Sequence, residues 1–220
     1  MRQIVLDTET TGLYPKQGHR LVEIGCVELV DRRLTGQTYH QYINPQRDMP
    51  EEAFKIHGLS HEFLSTQPVF SQIAKDFVDF VKGSELIIHN APFDLGFINH
   101  EFSLLASSKI SLGLQLLEDS CSIVDSLKIA KKLRPGQKNN LDALCKSYGI
   151  DNSHRELHGA LLDSEILADV YLAMTGGQTS LSFSLDDNQD LGKIIRLSEN
   201  RPPTVIVKAN EQELLAHQAM

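Results

Sequence analysis

The 220-residue chain has no tryptophan, three cysteines and no excess of positive charge. Cys26, Cys121 and Cys145 are odd in number, widely separated and form no CxxC pair. That pattern argues against a disulfide scaffold or a thiolate zinc site and is expected of reduced core residues in a cytoplasmic protein. No apolar run approaches the ~20 residues that a membrane-spanning helix needs, and no secretory-signal pattern precedes Arg2, so no membrane association is expected. A formal net charge of −8 argues against a nucleic-acid binder with a broad basic face. Internal repeats are absent too. The 41% hydrophobic and 23% charged content is that of an ordinary globular chain, long enough for one domain of about 175 residues and a tail.

Against that background, Asp7 and Glu9 stand out in the run Val5-Leu6-Asp7-Thr8-Glu9-Thr10-Thr11-Gly12. Ile4-Val5-Leu6 reads as a strand buried on both faces. Side chains two apart on a strand point the same way, so both carboxylates project together where the strand ends at Thr11-Gly12. At roughly 4 Å such a pair repels by about 4 kcal/mol at an effective dielectric near 20. A divalent cation would offset that cost; an idle, solvated pair is the alternative for these two residues alone.

Two further islands weigh against the idle reading. His89-Asn90-Ala91-Pro92-Phe93-Asp94 follows the apolar run Leu86-Ile87-Ile88 and places Asp94 past a strand's carboxyl end, at the start of a helical stretch expected over 95–105. In open α/β sheets, active sites gather there. His158-Gly159-Ala160-Leu161-Leu162-Asp163 opens a second helical pattern through Leu167, Val170, Tyr171 and Met174. Inside one helix, His158 and Asp163 would sit about 140° apart. They can face one site only if His158 lies on the preceding loop, and Gly159 makes that break plausible.

The sets Asp7/Glu9, Asp94 and His158/Asp163 resemble, in order and local sequence, the three motifs of the DEDD exonuclease superfamily, histidine subtype. Residues 2–12, Arg32-Arg33-Leu34-Thr35-Gly36, Glu101-Phe102-Ser103-Leu104-Leu105 and residues 157–178 resemble the epsilon proofreading family of bacterial DNA polymerase III more closely still. The likeness spans about residues 2–183. It implies a ribonuclease-H-like α/β fold, a mixed sheet flanked by helices, and removal of mispaired nucleotides from DNA 3′ ends. A 3′-trimming ribonuclease using the same five residues and a non-catalytic replisome adaptor are the alternatives.

Four acids offer the oxygen ligands that hard cations such as Mg²⁺ or Mn²⁺ prefer. Two such ions about 4 Å apart clamp the attacking and leaving oxygens of a phosphodiester. On this reading Asp7 bridges both ions, Glu9 and Asp163 hold the one that activates water, Asp94 helps hold the other, and His158 is the general base. Asp7 and Glu9 also lie against the substrate. The resemblance further implies that Glu52 and His57 contact the terminal sugar or phosphate, and that Leu13, Ile56 and Phe93 pack on the end bases. Read without the family, a histidine such as His57 in a helix–turn is more often structural, and His89 serves equally well as a strand-end hydrogen-bonding group or a substrate contact. His19, His40, His61, His100, His154 and His217 show no metal-ligand spacing and read as surface or packing residues.

Along the chain, 21–30 and 37–43 alternate as strands that pair with the first in an antiparallel meander. Phe70, Ile73, Ala74, Phe77, Val78 and Val81 fall on one face of a helix. A strand at 86–89, a short strand at 122–124 and helices at 126–133 and 141–148 follow, with Asn139 expected to cap the last. Hairpins followed by alternating helices and strands predict a mixed sheet flanked by helices. The nuclease domain is expected to span 1–176, stopping at Gly176-Gly177, and 177–220 to be a flexible tail. In the tail, Gln178, Leu181 and Phe183 resemble a sliding-clamp-binding peptide, and 180–190 is linker-like. A strand at 203–208 and a short helix from Asn210 to His217 cannot bury themselves. The family implies that they order on the polymerase's catalytic alpha subunit, with the beta clamp and a small theta-type subunit as further partners.

Overall fold

A computed structural model describes residues 1–108, 116–153, 155 and 157–176. Ile4, Val5 and Leu6 are fully buried at the centre of strand β1 (Arg2–Thr10). Antiparallel to β1 runs β2 (Leu21–Val30), which in turn pairs with β3 (Arg33–Tyr42). On the other side of β1 lie β4 (Glu85–Ile88) and β5 (Ser122–Asp125), both parallel to it, so the sheet order is β3-β2-β1-β4-β5. Seven helices accompany the sheet among the described residues: α1 (Glu51–His57), α2 (His61–Ser65), α3 (Phe70–Val81), α4 (Ala91–Ser107), α5 (Ser126–Leu133), α6 (Leu141–Tyr148) and α7 (Ala160–Gly176). This is the mixed, helix-flanked sheet that the element order predicts. No helix is long and apolar enough to cross a membrane among the described residues.

Strand alternation divides the interior in two. Ile4, Leu6, Ile24, Cys26, Leu86 and Ile88 face one side and pack with Phe70 and Phe77 of α3 and Phe97 and Phe102 of α4. Val5, Leu29 and Ile87 face the other, against Leu144 of α6 and Leu167, Val170 and Tyr171 of α7. The three cysteines are free and buried. By the same period of two, Asp7 and Glu9 continue the Val5 side, facing α7, whereas Thr8 turns toward α4.

Strand β4 covers Glu85–Ile88 instead of 86–89, and three further differences have a local cause. Strand β3 starts at Arg33 instead of residue 37, because Asp31 and Arg32 both take positive φ (49° and 64°) and form a two-residue turn that pairs Arg33 with Val30. Helix α4 starts at Ala91 instead of residue 95. Asn90 turns the chain in the left-handed region, and Pro92 sits in the first turn, where its missing N–H costs nothing. The cap of α6 is Asn140, not Asn139: its side chain accepts from the Ala143 N–H at 3.1 Å. Asn139 is buried and donates to the carbonyls of Gln137 and Arg134. The expected tail features (Gln178, Leu181 and Phe183, the linker, the strand at 203–208 and the helix from 210) lie outside the described residues.

Candidate active site

Strand β1 delivers Asp7 and Glu9 to the carboxyl end of the sheet, beside the end of β4. The Leu6–Ile88 pairing is the last between those strands, so the chain after Ile88 turns away just where Asp7 begins. His89 and Asn90 make that turn, and Asp94 follows in the first turn of α4, 2% exposed. Thr8 Oγ1 donates to Asp94 Oδ1 at 2.7 Å, which ties the helix carboxylate to the strand. The fourth acid, Asp163, arrives on the first turn of α7, 4% exposed.

Helix α7 reaches this position because Gly25 of β2 has no side chain. Gly25 pairs with Asp7, and a Cβ there would lie 2.2 Å from backbone atoms of Ala160 and Leu161. Ser164 Oγ completes the contact by donating to the Gly25 carbonyl at 2.9 Å. A glycine inside an apolar strand is a signal of such close approach, although which element approaches it is set by the fold.

His158 lies on the loop before α7, as the Gly159 break predicts. Its backbone N–H donates to the Ile56 carbonyl at 3.1 Å, so this loop is stitched to α1. Its Nδ1 is 3.3 Å from Asp163 Oδ2. Glu9, His158 and Asp163 each present a ligand-capable atom within 4.8 Å of the others. Asp7, Glu9, Asp94, His158 and Asp163 all line one cleft of about 370 Å³.

Arg155 also lines that cleft, and nothing in the sequence marked it. Its guanidinium donates to both oxygens of Asp163, at 2.5 and 2.7 Å, to Asp142 Oδ1 at 2.7 Å, and lies 2.8 Å from His158 Nδ1. The acids therefore differ electrically. Burial, followed by repulsion from Asp94, Glu9 and Asp163, holds the Asp7 carboxyl well above its ordinary range. Glu9 is pushed up to about 8, by burial and then by Asp163 and by Glu23, which pairs with it across β2. Glu23 was also overlooked; it is buried and partnered by His40 Nε2 at 2.7 Å. Asp94 rises to about 7 through burial, with the Thr8 hydrogen bond opposing. Asp163 is also pushed upward by burial, yet hydrogen bonds from His158 and Arg155 bring it below the ordinary value. Of the four, only Asp163 forms a direct ion pair among the described residues.

The expected substrate contacts gather next door. Leu13, Glu52, Ile56, His57 and Phe93 line an adjoining pocket of about 450 Å³, whose wall shares Thr8, Glu9 and Phe93 with the acidic cleft. Leu13 and Ile56 are 66% and 51% exposed, so their apolar surface is available to a ligand. His57 is different: it is buried, its Nδ1 accepts from the Leu59 N–H at 3.0 Å, and its Nε2 makes no hydrogen bond. His89 lines the acidic cleft with Nδ1 2.9 Å from Ser126 Oγ.

Residues 4–171 match the exonuclease (RNase_T) family. DNA polymerase III subunit epsilon of Rickettsia felis is 49% identical over 220 residues, spanning 99% of this chain and 94% of the relative. The Escherichia coli subunit epsilon is 48% identical over 226 residues, spanning 99% and 91%. Among solved structures, exonuclease X in complex with 5′ overhanging duplex DNA aligns with a TM-score of 0.61 at 22% identity, over 79% of this chain and 91% of that one. An exonuclease I structure aligns with a TM-score of 0.65 at 16% identity, over 80% and 41%. These two likenesses are of fold.

Proposed function

Because the chain belongs to the exonuclease family and, within it, to the epsilon subunits of DNA polymerase III, we propose that the acidic cleft hydrolyses the last phosphodiester of a mispaired DNA 3′ end. The protein is a proofreading 3′→5′ exonuclease subunit of that polymerase. The observation that carries the assignment of the cleft is the convergence of Asp7, Glu9, Asp94 and Asp163, from three separate stretches of chain, with His158 beside them.

The donor set fits divalent cations. Three buried carboxylates are held above their ordinary range by burial first and by neighbouring acids second, and Arg155 already stands as a cation on Asp163. Oxygen donors favour Mg²⁺ or Mn²⁺. Asp7, Glu9, Asp94 and Asp163 would hold two such ions, which would supply Lewis-acid charge to the attacking and leaving oxygens of the phosphodiester.

The chain's own groups do the rest. His158 takes the proton of the attacking water; its side chain is 47% exposed and can pass that proton to solvent. Thr8 fixes the rotamer of Asp94. Leu13, Ile56 and Phe93 stack against the terminal bases, which every base permits, so little sequence preference is expected. Glu52 and His57 contact the terminal sugar or phosphate, and a substrate oxygen would satisfy the unpartnered Nε2 of His57. Frayed, mispaired ends enter most readily because less pairing must be given up.

Residues 1–176 are the nuclease domain in this reading. Residues 177–220 carry the clamp peptide (Gln178, Leu181, Phe183) and the segment that meets the catalytic alpha subunit in the cytoplasm, and a small theta-type subunit is a further partner.

The test is release of nucleotides from mispaired and paired DNA primers and from RNA of the same sequence, with Mg²⁺ or Mn²⁺, repeated on Asp7→Ala. Mispaired DNA cut fastest and an inactive variant are expected. Preference for RNA would make the protein a ribonuclease, and an inactive parent would make it an adaptor. For the tail, the catalytic subunit should be captured by the full chain and lost on truncation after Gly177.

A further inference from the structure

The base pocket and the acidic cleft are two members of a row of three. A groove of about 660 Å³ adjoins the cleft on its other side, sharing His89 and Asn140 with it. Its remaining wall is Leu127 and Lys131 of α5 with Pro135, Gly136, Gln137 and Asn139 of the following loop. The terminal base, the scissile phosphate and whatever continues from it would meet these three depressions in that order.

The wall of the third depression is the basic part of an acidic protein. Residues 126–141 contain Lys128, Lys131, Lys132, Arg134 and Lys138 and no Asp or Glu, within a chain of net charge −8. These five charges are used in three ways. Arg134 is turned inward: its guanidinium donates to the Lys138 carbonyl at 3.3 Å, to Asn139 Oδ1 at 3.2 Å, to Gln137 Oε1 at 2.9 Å and to Ser147 Oγ at 2.5 Å. With the Asn139 amide on the carbonyls of Arg134 and Gln137, it fastens the loop from within. Lys128 lies 3.8 Å from Asp125. Lys131, Lys132 and Lys138 are exposed and pair with no acid among the described residues. The end of α5 presents Lys131 and Lys132, and the loop fastened by Arg134 presents Lys138, beside the side-chain amides of Gln137 and Asn140.

We propose that this groove binds the phosphate backbone of the single strand on the 5′ side of the nucleotide being removed, with Lys131 in its wall and the exposed Lys138, between the lining Gln137 and Asn139, as its main contacts. The proposal rests on the nuclease reading of the neighbouring cleft and extends it to the rest of the substrate. It also accounts for how an acidic chain holds DNA: the attraction is local, and each neutralised phosphate releases counterions. Lysine suits a sequence-blind path, acting as a point charge that makes no base-specific contact.

The full-length chain with Mg²⁺ tests this through two substrates, a dinucleotide that ends at the scissile phosphate and a single-stranded octanucleotide that extends through the groove. Anisotropy of the labelled octamer reads binding separately from turnover. The double variant Lys131→Glu/Lys138→Glu should weaken octamer binding and raise its KM about tenfold or more. It should also make the salt dependence of binding shallower by about 1.4 in log–log slope, the value for two single-strand phosphates. Dinucleotide cleavage should change less than twofold. Lys82→Glu, at the end of α3 before β4, has the same sign of charge change away from the groove and should leave both substrates alone. Unchanged octamer binding and salt slope in the double variant would overturn the proposal, as would equal losses on both substrates. Loss of catalytic-subunit capture with octamer binding intact would reassign the groove to an acidic protein surface. A parent that binds the octamer through these lysines but cuts neither substrate would sink the nuclease reading and leave the groove standing.

Discussion

Replacing Gly25 with alanine tests whether the position of α7 sets the chemistry. The added Cβ would lie 2.2 Å from the Ala160 carbonyl carbon and the Leu161 nitrogen, and 2.4 Å from the Ala160 oxygen. All three are backbone atoms, so no flexible side-chain tip can yield. Restoring ordinary contact at 3.4 Å requires the start of α7 to retreat by about 1.2 Å. Asp163 rides on that turn and moves with it, and the 2.9 Å bond from Ser164 to the Gly25 carbonyl must stretch or break.

A displacement of about 1 Å in a reacting constellation costs on the order of 10²-fold in rate. Overpacking of this kind costs about 1–3 kcal/mol in stability, or several degrees of melting temperature for a domain of this size. Gly25→Ala should therefore lower kcat about a hundredfold on a 3′-mispaired primer. KM should change little, because the base pocket is built from β1, α1 and α4 and their loops. Gly96→Ala is the control. Gly96 lies within α4 with nothing within 4 Å of a built Cβ, so the substitution should hold activity and add up to about 1 kcal/mol of stability. Gly25→Ala with parental kcat and melting temperature would refute the argument that close approach of β2 and α7 places Asp163.

His158→Ala should retain metal and DNA binding while kcat falls by about 10²–10⁴-fold; near-parental turnover would remove His158 from the mechanism. Without divalent cations, folded Asp94 and Glu9 titrate at about 7 and about 8 against ordinary values of 3.8 and 4.5. The folded chain then holds protons that the unfolded chain has released, so stability should fall as pH rises from about 5 through 8, by a few kcal/mol. Urea midpoints in EDTA at pH 5.5, 7 and 8.5 should show that decline and Mg²⁺ should flatten it; equal slopes with and without Mg²⁺ would count against ligation by these acids. Glu101, 2% exposed, accepts from Arg20 at 2.6 and 2.7 Å. Glu101→Gln removes that guanidinium's counter-charge and one of its two acceptors and should cost about 3 kcal/mol, seen as a drop in melting temperature; an unchanged midpoint would refute this.

The candidate acids were legible because strand and helix periods speak directly about them. Asp7 and Glu9 are two apart on a strand, and the break at Gly159 followed from the angle between His158 and Asp163 on a helix. The face of α3 was equally plain, with every residue from Phe70 to Val81 that the period predicts buried. What stayed hidden depends on register, which a linear pattern does not contain. Glu23 faces Glu9, and Gly25 faces Asp7, only because β2 pairs with β1 in one alignment of several that alternation allows. The early start of β3 was missed for a related reason: Asp31-Arg32 makes a positive-φ turn with neither the glycine nor the asparagine that announces one. Arg155 is the harder case, since an arginine on an irregular loop has no period at all. Its place is rationalised by charge: where four acids crowd one cleft, a cation within reach pairs with one of them, as Arg155 does with Asp163. That crowding of acids becomes readable only after the fold has brought the four together.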